Sequence, residues 1–147
     1  MLQHLAVYIT LGSTNARSCN QSAFRLPMLT KLLRTFANRD PQTFPDDENG
    51  DILFSIWKSG TDISTSRTVD FSIIFPTEEL ARSFAATLKP QRAEVEVCHF
   101  EAKNCWDVRF SPKLIPSWKN ITESEERLSA SAREFDGKND GWGFFSS

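Results

Sequence analysis

The chain has 147 residues, 39% of them hydrophobic, with 17 Lys/Arg against 19 Asp/Glu for a net charge of −2. That length suits one domain able to bury roughly 68–70% of its unfolded surface, and the charge excludes a nucleic-acid binder held by overall basicity. Cys19, Cys98 and Cys105 are too few and too scattered for a disulfide framework, so they read as thiols of a cytoplasmic protein.

Residues 1–44 read as an N-terminal extension, partly helical or loose, ahead of a domain over residues 45–147. The apolar run at 5–11 has no Lys or Arg before it, which argues against a secretory signal. No run reaches the roughly 18 apolar residues of a membrane span. Pro27 opens a helical pattern through Met28, Leu29, Leu32, Leu33 and Phe36. Residues 1–45 hold five Lys/Arg and one Asp, whereas residues 46–147 hold twelve Lys/Arg and eighteen Asp/Glu. The body is therefore acidic, better matched to a basic protein partner than to RNA or DNA.

Asp46 and Asp47 stand where a helix dipole favours carboxylates. Ile52, Leu53, Ile56 and Trp57 then form an apolar face, with Lys58 in the last turn and Gly60 as the residue after the cap, so a helix is predicted near 47–58. From residue 67 the period is two. Val69, Phe71, Ile73 and Phe75 alternate with Asp70 and Ser72, a half-buried strand near 68–75. Pro76-Thr77-Glu78-Glu79 breaks it and caps a helix near 77–89 whose Leu80, Phe84 and Leu88 line up. Alternating strands near 93–100 and 104–110 follow as a hairpin. If partner numbers sum to 205, Val97 meets Val108, Val95 meets Phe110, His99 meets Trp106 and Glu96 meets Arg109, which gives one apolar face and a cross-strand ion pair.

Thr122-Glu123-Ser124-Glu125 reads as a capping box that starts a helix near 122–135. Trp118 before it reads as a lid over the helix–sheet seam. Turn-forming residues between Asp136 and Gly141 then reverse the chain, and Trp142, Phe144 and Phe145 form a last short strand near 142–145. A disordered tail would not carry three large aromatics, so the C-terminus belongs to the folded body. The order predicts an α+β fold, a ferredoxin-like β-α-β-β-α-β two-layer sandwich with an added N-terminal helix.

Catalytic chemistry is poorly supplied. There is no Gly-rich phosphate loop, no His-Glu-x-x-His and no Cys-x-x-Cys, and the histidines are His4 and His99. The chain reads as a non-enzyme without cofactor or metal. Cys98, His99, Cys105 and Asp107 gather on one hairpin, but strand neighbours point to opposite faces, and Cys98 and Cys105 are diagonal partners about 7–8 Å apart. That distance fits neither a tetrahedral ligand set nor a disulfide. The candidate partner-binding residues are Asp46, Asp47 and Asp51 at the first helix, and Glu96, Asp107 and Arg109 on the sheet face away from the helices. Trp142 is either a core aromatic or an exposed anchor; the core reading is preferred because a short chain end needs a side chain to hold it down.

Several stretches together resemble the regulator of ribonuclease E activity B (ribonuclease E inhibitor) family. They are Phe44-Pro45-Asp46-Asp47-Glu48-Asn49-Gly50-Asp51, Val69-Asp70-Phe71, Phe75-Pro76-Thr77-Glu78-Glu79, Trp106-Asp107-Val108, Ile121-Thr122 with Glu125, and Asn139-Asp140-Gly141-Trp142-Gly143-Phe144. The resemblance covers residues 44–145 and implies a ferredoxin-like, non-catalytic domain that binds a protein partner, a ribonuclease in the better-known members, and restrains RNA decay. Asp140 and Trp142 complete the candidate partner contacts. Those inhibitors carry Asp/Glu-rich tails, and this sequence ends Phe145-Ser146-Ser147, so weaker attraction to a basic surface is expected. The alternative is an interaction or neutralising, immunity-like domain for an unrelated protein.

Overall fold

Asp47 starts the first helix of the computed structural model, which describes residues 39–144. Its backbone is extended (φ −142°), and its carboxylate accepts the Gly50 N–H at 2.8 Å. Helix α1 (Glu48–Lys58) then buries Leu53, Phe54 and Ile56. Gly60 follows the cap at φ +90°, as the sequence anticipates. Trp57 departs from the expected apolar face, since it is 49% exposed. The predicted helical pattern after Pro27, residues 1–38 and Phe145 lie outside the described residues.

Strands β1 (Arg67–Thr68) and β2 (Asp70–Phe75) are one extended segment, and β4 (Cys105–Ser111) and β5 (Lys113–Leu114) are another. Pairs Arg67↔Leu114 and Phe71↔Phe110 share one register. The ladder breaks at Pro112, which has no N–H to give, while its carbonyl still accepts from Val69 N at 3.0 Å. Helix α2 (Glu78–Leu88) begins at Thr77, whose side chain accepts from Leu80 N, as predicted. Strand β3 (Glu94–Phe100) pairs with β4 in the anticipated register, including Val97↔Val108 and Glu96↔Arg109.

Two boundaries differ from expectation. Helix α3 (Trp118–Ala132) starts four residues earlier than the Thr122 box, because Ser117 is the cap and accepts the Asn120 N–H. Thr122 and Glu125 are thus interior helix residues. Strand β6 runs from Lys138 to Gly143, so the reversal is confined to Asp136 (φ +56°) and Gly137 rather than spread to Gly141. Trp142 and Phe144 are buried, which anchors the chain end as the sequence implies.

The main sheet has order β3-β4-β2-β6 with every neighbouring pair antiparallel, the split arrangement of a ferredoxin-like sandwich. Helices α2 and α3 pack on the sheet and α1 packs against α3. The core gathers Phe71, Ile73, Phe75, Phe84, Val108, Phe110, Ile121, Leu128 and Trp142. Phe44, ahead of α1, also enters it. Cys98 is disulfide-bonded, which corrects the expected set of free thiols. Cys105 remains a free thiol, half-buried, with burial pushing it above its ordinary value.

Candidate functional site

Strand β6 contains a bulge. Ser72 pairs with Gly141 and Ile73 with Asn139, so Asp140 is an inserted residue. Gly141 makes this possible with φ +112°, a region that side-chain-bearing residues rarely enter. In a regular strand Asn139 and Trp142, three positions apart, would face opposite ways. Here both reach the helices. The Trp142 indole N–H donates to Asn49 Oδ1 at 2.7 Å, and Asn139 Nδ2 donates to Glu125 Oε1 at 2.7 Å. Asn49 Nδ2 donates in turn to Glu125 Oε2 at 2.7 Å and to Thr122 Oγ1 at 3.2 Å.

Three elements distant from one another in sequence, α1, α3 and β6, therefore close on one polar cluster. Burial raises the Glu125 carboxyl above its ordinary 4.5 even though two amide donors oppose the shift. Gly50 belongs to the same construction. A Cβ there would collide with the Pro45 carbonyl oxygen, so only glycine lets the 39–45 segment lie against the first turn of α1. Arg39 fastens that segment, donating to Asp51 at 2.5 Å and to the carbonyls of Phe44 and Pro45.

The eight residues singled out from sequence divide by exposure. Trp142 is 1% exposed, Asp107 3% and Asp140 7%, so these three are corrected from partner contacts to interior residues. Trp142 is core, as preferred. Asp140 is turned by the bulge toward Lys103, whose ammonium lies 2.9 and 3.0 Å from its oxygens. Asp107 sits on the inner strand β4 and accepts the Ser72 hydroxyl at 2.5 Å, with Arg109 at 3.7 Å. Burial raises its carboxyl, against the Ser72 hydrogen bond and the Arg109 charge. The sheet face expected to be open is thus closed at its centre.

Glu96 and Arg109 form the anticipated cross-strand pair at 3.8 Å and are part-exposed. Asp46, Asp47 and Asp51 lie together at the start of α1. Asp46 is fully exposed, 4.0 Å from Arg39, and Asp51 is held by the same guanidinium. Asp47 is doubly occupied, because the Trp118 indole N–H also donates to its Oδ2 at 2.7 Å. Trp118, read as a lid, instead ties α3 to the cap of α1. Between residues 39 and 66 every exposed charged side chain is acidic: Asp40, Asp46, Asp47, Glu48 and Asp62.

Sequence reasoning passed over Asn49, Glu125 and Asn139 as a joint site. Each appears in the motifs quoted above, but nothing local links an amide near residue 49 to one near residue 139. Among the described residues no group of three or more His, Cys, Asp or Glu could hold a metal ion, and no helix is long and apolar enough to cross a membrane.

No curated protein matches the chain. The family model described as "Regulator of ribonuclease activity B" matches residues 46–144. That span opens at the acidic turn before α1, closes just past Trp142, and contains all of the Asn49–Glu125–Asn139–Trp142 cluster. The chain belongs to the regulator of ribonuclease activity B family.

Proposed function

We propose that the protein is a non-catalytic regulator that acts by docking on a protein partner, with a ribonuclease of the E type as the first candidate. The observation that carries this reading is that the fully exposed charged residues between 39 and 66 are all acidic, grouped on and around a helix tied down by Arg39, Trp118 and Asn49. Such a surface suits a basic protein patch and repels a polyanion. Membership of a family of ribonuclease regulators supports a ribonuclease as the partner. Of the residues proposed from sequence, Asp46 and Asp51 stay in the docking surface, with Asp47 exposed beside them. Glu96 and Arg109 stand apart on the sheet.

Adding the full chain to purified ribonuclease E of the same host tests the reading. The expected result is slower cleavage of a single-stranded RNA together with a calorimetric binding signal that weakens with salt. Unchanged cleavage and no binding heat would sink it. Direct, salt-sensitive binding of the chain to the RNA would replace protein docking with substrate sequestration.

A further inference from the structure

An open cleft of about 730 Å³ lies beside the C-terminal end of α1. Phe44, Trp57 and Ile63 give it apolar walls, and Asp40 and Asp62 line it as well. Trp57 is one of the two large hydrophobic residues left exposed among those described. The ring is not loose, since it stacks on Phe54 at 5.9 Å and leans on Phe44 at 5.8 Å. A large aromatic fixed from beneath and open above is the kind of residue that dominates binding energy at protein interfaces.

The charged residues that line the cleft are both acidic, Asp40 and Asp62. Asp40 is set in a turn by its own backbone, accepting from Gln42 N at 3.1 Å and Thr43 N at 3.2 Å. Asp62 accepts from Ser64 N at 2.8 Å and Ser64 Oγ at 2.6 Å. Hydrogen bonds hold both carboxyls below their ordinary value, chiefly that from the Thr43 hydroxyl for Asp40 and that from the Ser64 hydroxyl for Asp62. Each carboxylate is exposed and keeps lone pairs to offer a further donor. The nearby cations already have contacts: Arg39 donates to Asp51 and two carbonyls, Lys58 lies over the Phe54 ring, and Arg67 donates to the Asp62 carbonyl and lies over the Phe144 ring.

We propose that this cleft receives a Lys- or Arg-bearing segment of a protein partner, its aliphatic stem on Trp57 and its cationic head between Asp40 and Asp62. An arginine suits it best, because its flat guanidinium stacks on an indole and pairs with carboxylates at the same time. The inference rests on the protein-docking reading and names the chemistry of the docked segment.

The test is an NMR titration of the full chain with a decapeptide alternating Arg and Leu, against a control peptide with Glu in place of Arg. The expected result is a shift of the Trp57 indole N–H and of residues 60–64 with the Arg peptide alone. Asp40→Asn with Asp62→Asn should weaken binding about tenfold, while Glu123→Gln with Glu126→Gln on α3 should change it less than about twofold. Asn keeps one side-chain oxygen, enough for both Ser64 bonds at position 62 and the Gln42 bond at position 40, and a circular dichroism spectrum equal to wild type shows that the first pair stays folded even if Trp57→Ala does not. No Trp57 shift at about 1 mM peptide, or equal weakening by both pairs, overturns the proposal. So does a concentration-dependent dimer that Trp57→Ala dissolves, which would assign the cleft to a second copy of this chain.

The ribonuclease separates the two readings. If it binds wild type and both pairs alike, the cleft assignment fails and docking stands. If it ignores wild type while the Arg peptide binds at Trp57, docking on that enzyme fails and the cleft stands.

Discussion

The indole N–H of Trp142 donates to Asn49 Oδ1 at 2.7 Å, joining the last strand to the first helix across 93 positions of chain. The amide of Asn49 then passes its own N–H to Glu125, which also receives Asn139. Buried polar groups cost free energy unless all are paired, and here each completes another. The terminal Asn-Asp-Gly-Trp motif therefore holds α1 and α3 on the sheet, and by fixing α1 it fixes the acidic surface proposed for docking.

Trp142→Ala should lower stability by about 3–5 kcal/mol, the range for deleting a fully buried aromatic. Trp142→Phe separates the ring from its hydrogen bond. It leaves Asn49 Oδ1 without its donor and should cost about 1–3 kcal/mol. Denaturant midpoints check both, and a midpoint equal to wild type for Trp142→Phe would remove the indole bond from the account.

Gly141→Ala should cost about 1–3 kcal/mol, because φ +112° is strained for any side chain. The diagnostic is local. The side-chain amide resonances of Asn139 and the indole resonance of Trp142 should move together, since the bulge alone puts both on the helix side. Movement of neither, in a destabilised variant, would separate the strain from the cluster.

Asp47→Ala and Asp46→Ala, one position apart, should behave differently. The first removes the cap and the Trp118 contact and should cost about 0.5–2 kcal/mol, whereas the second, fully exposed, should stay within about 0.5 kcal/mol. Thermal unfolding of both settles it; equal midpoints would show that Asp47 is no more structural than its neighbour.

Asp107 gives a pH signature. Its folded carboxyl is raised above the ordinary 3.8 by burial, with Ser72, Arg109 and Lys103 pulling down and Asp140 pushing up. A raised carboxylate contributes stability that is full below the unfolded value and lost as pH rises through the folded one. The stability of wild type minus that of Asp107→Asn should therefore fall between pH 3.8 and neutrality. Asp40 and Asp62, shifted the opposite way, remain in both proteins and cancel. A flat difference in urea midpoints across that window would contradict the buried placement. By the same placement Asp107→Lys should unfold the protein, while Glu96→Lys on the part-exposed edge should be tolerated.

Alternation and capping residues alone determined much of this protein. The period-two run from Val69 to Phe75, the Thr77 cap and the β3–β4 register from Glu96 and Arg109 are all local or one hairpin apart, and side-chain direction follows directly from backbone period. Where two local signals competed, tertiary contacts chose: Ser117 rather than Thr122 starts α3, with Trp118 held by Asp47. The bulge at Asp140, the burial of Asp107 on an inner strand and the meeting of Asn49, Glu125, Asn139 and Trp142 required the closed fold. Each depends on which strand lies beside which and on what burial does to a charge, and neither is written in the spacing of residues along one segment.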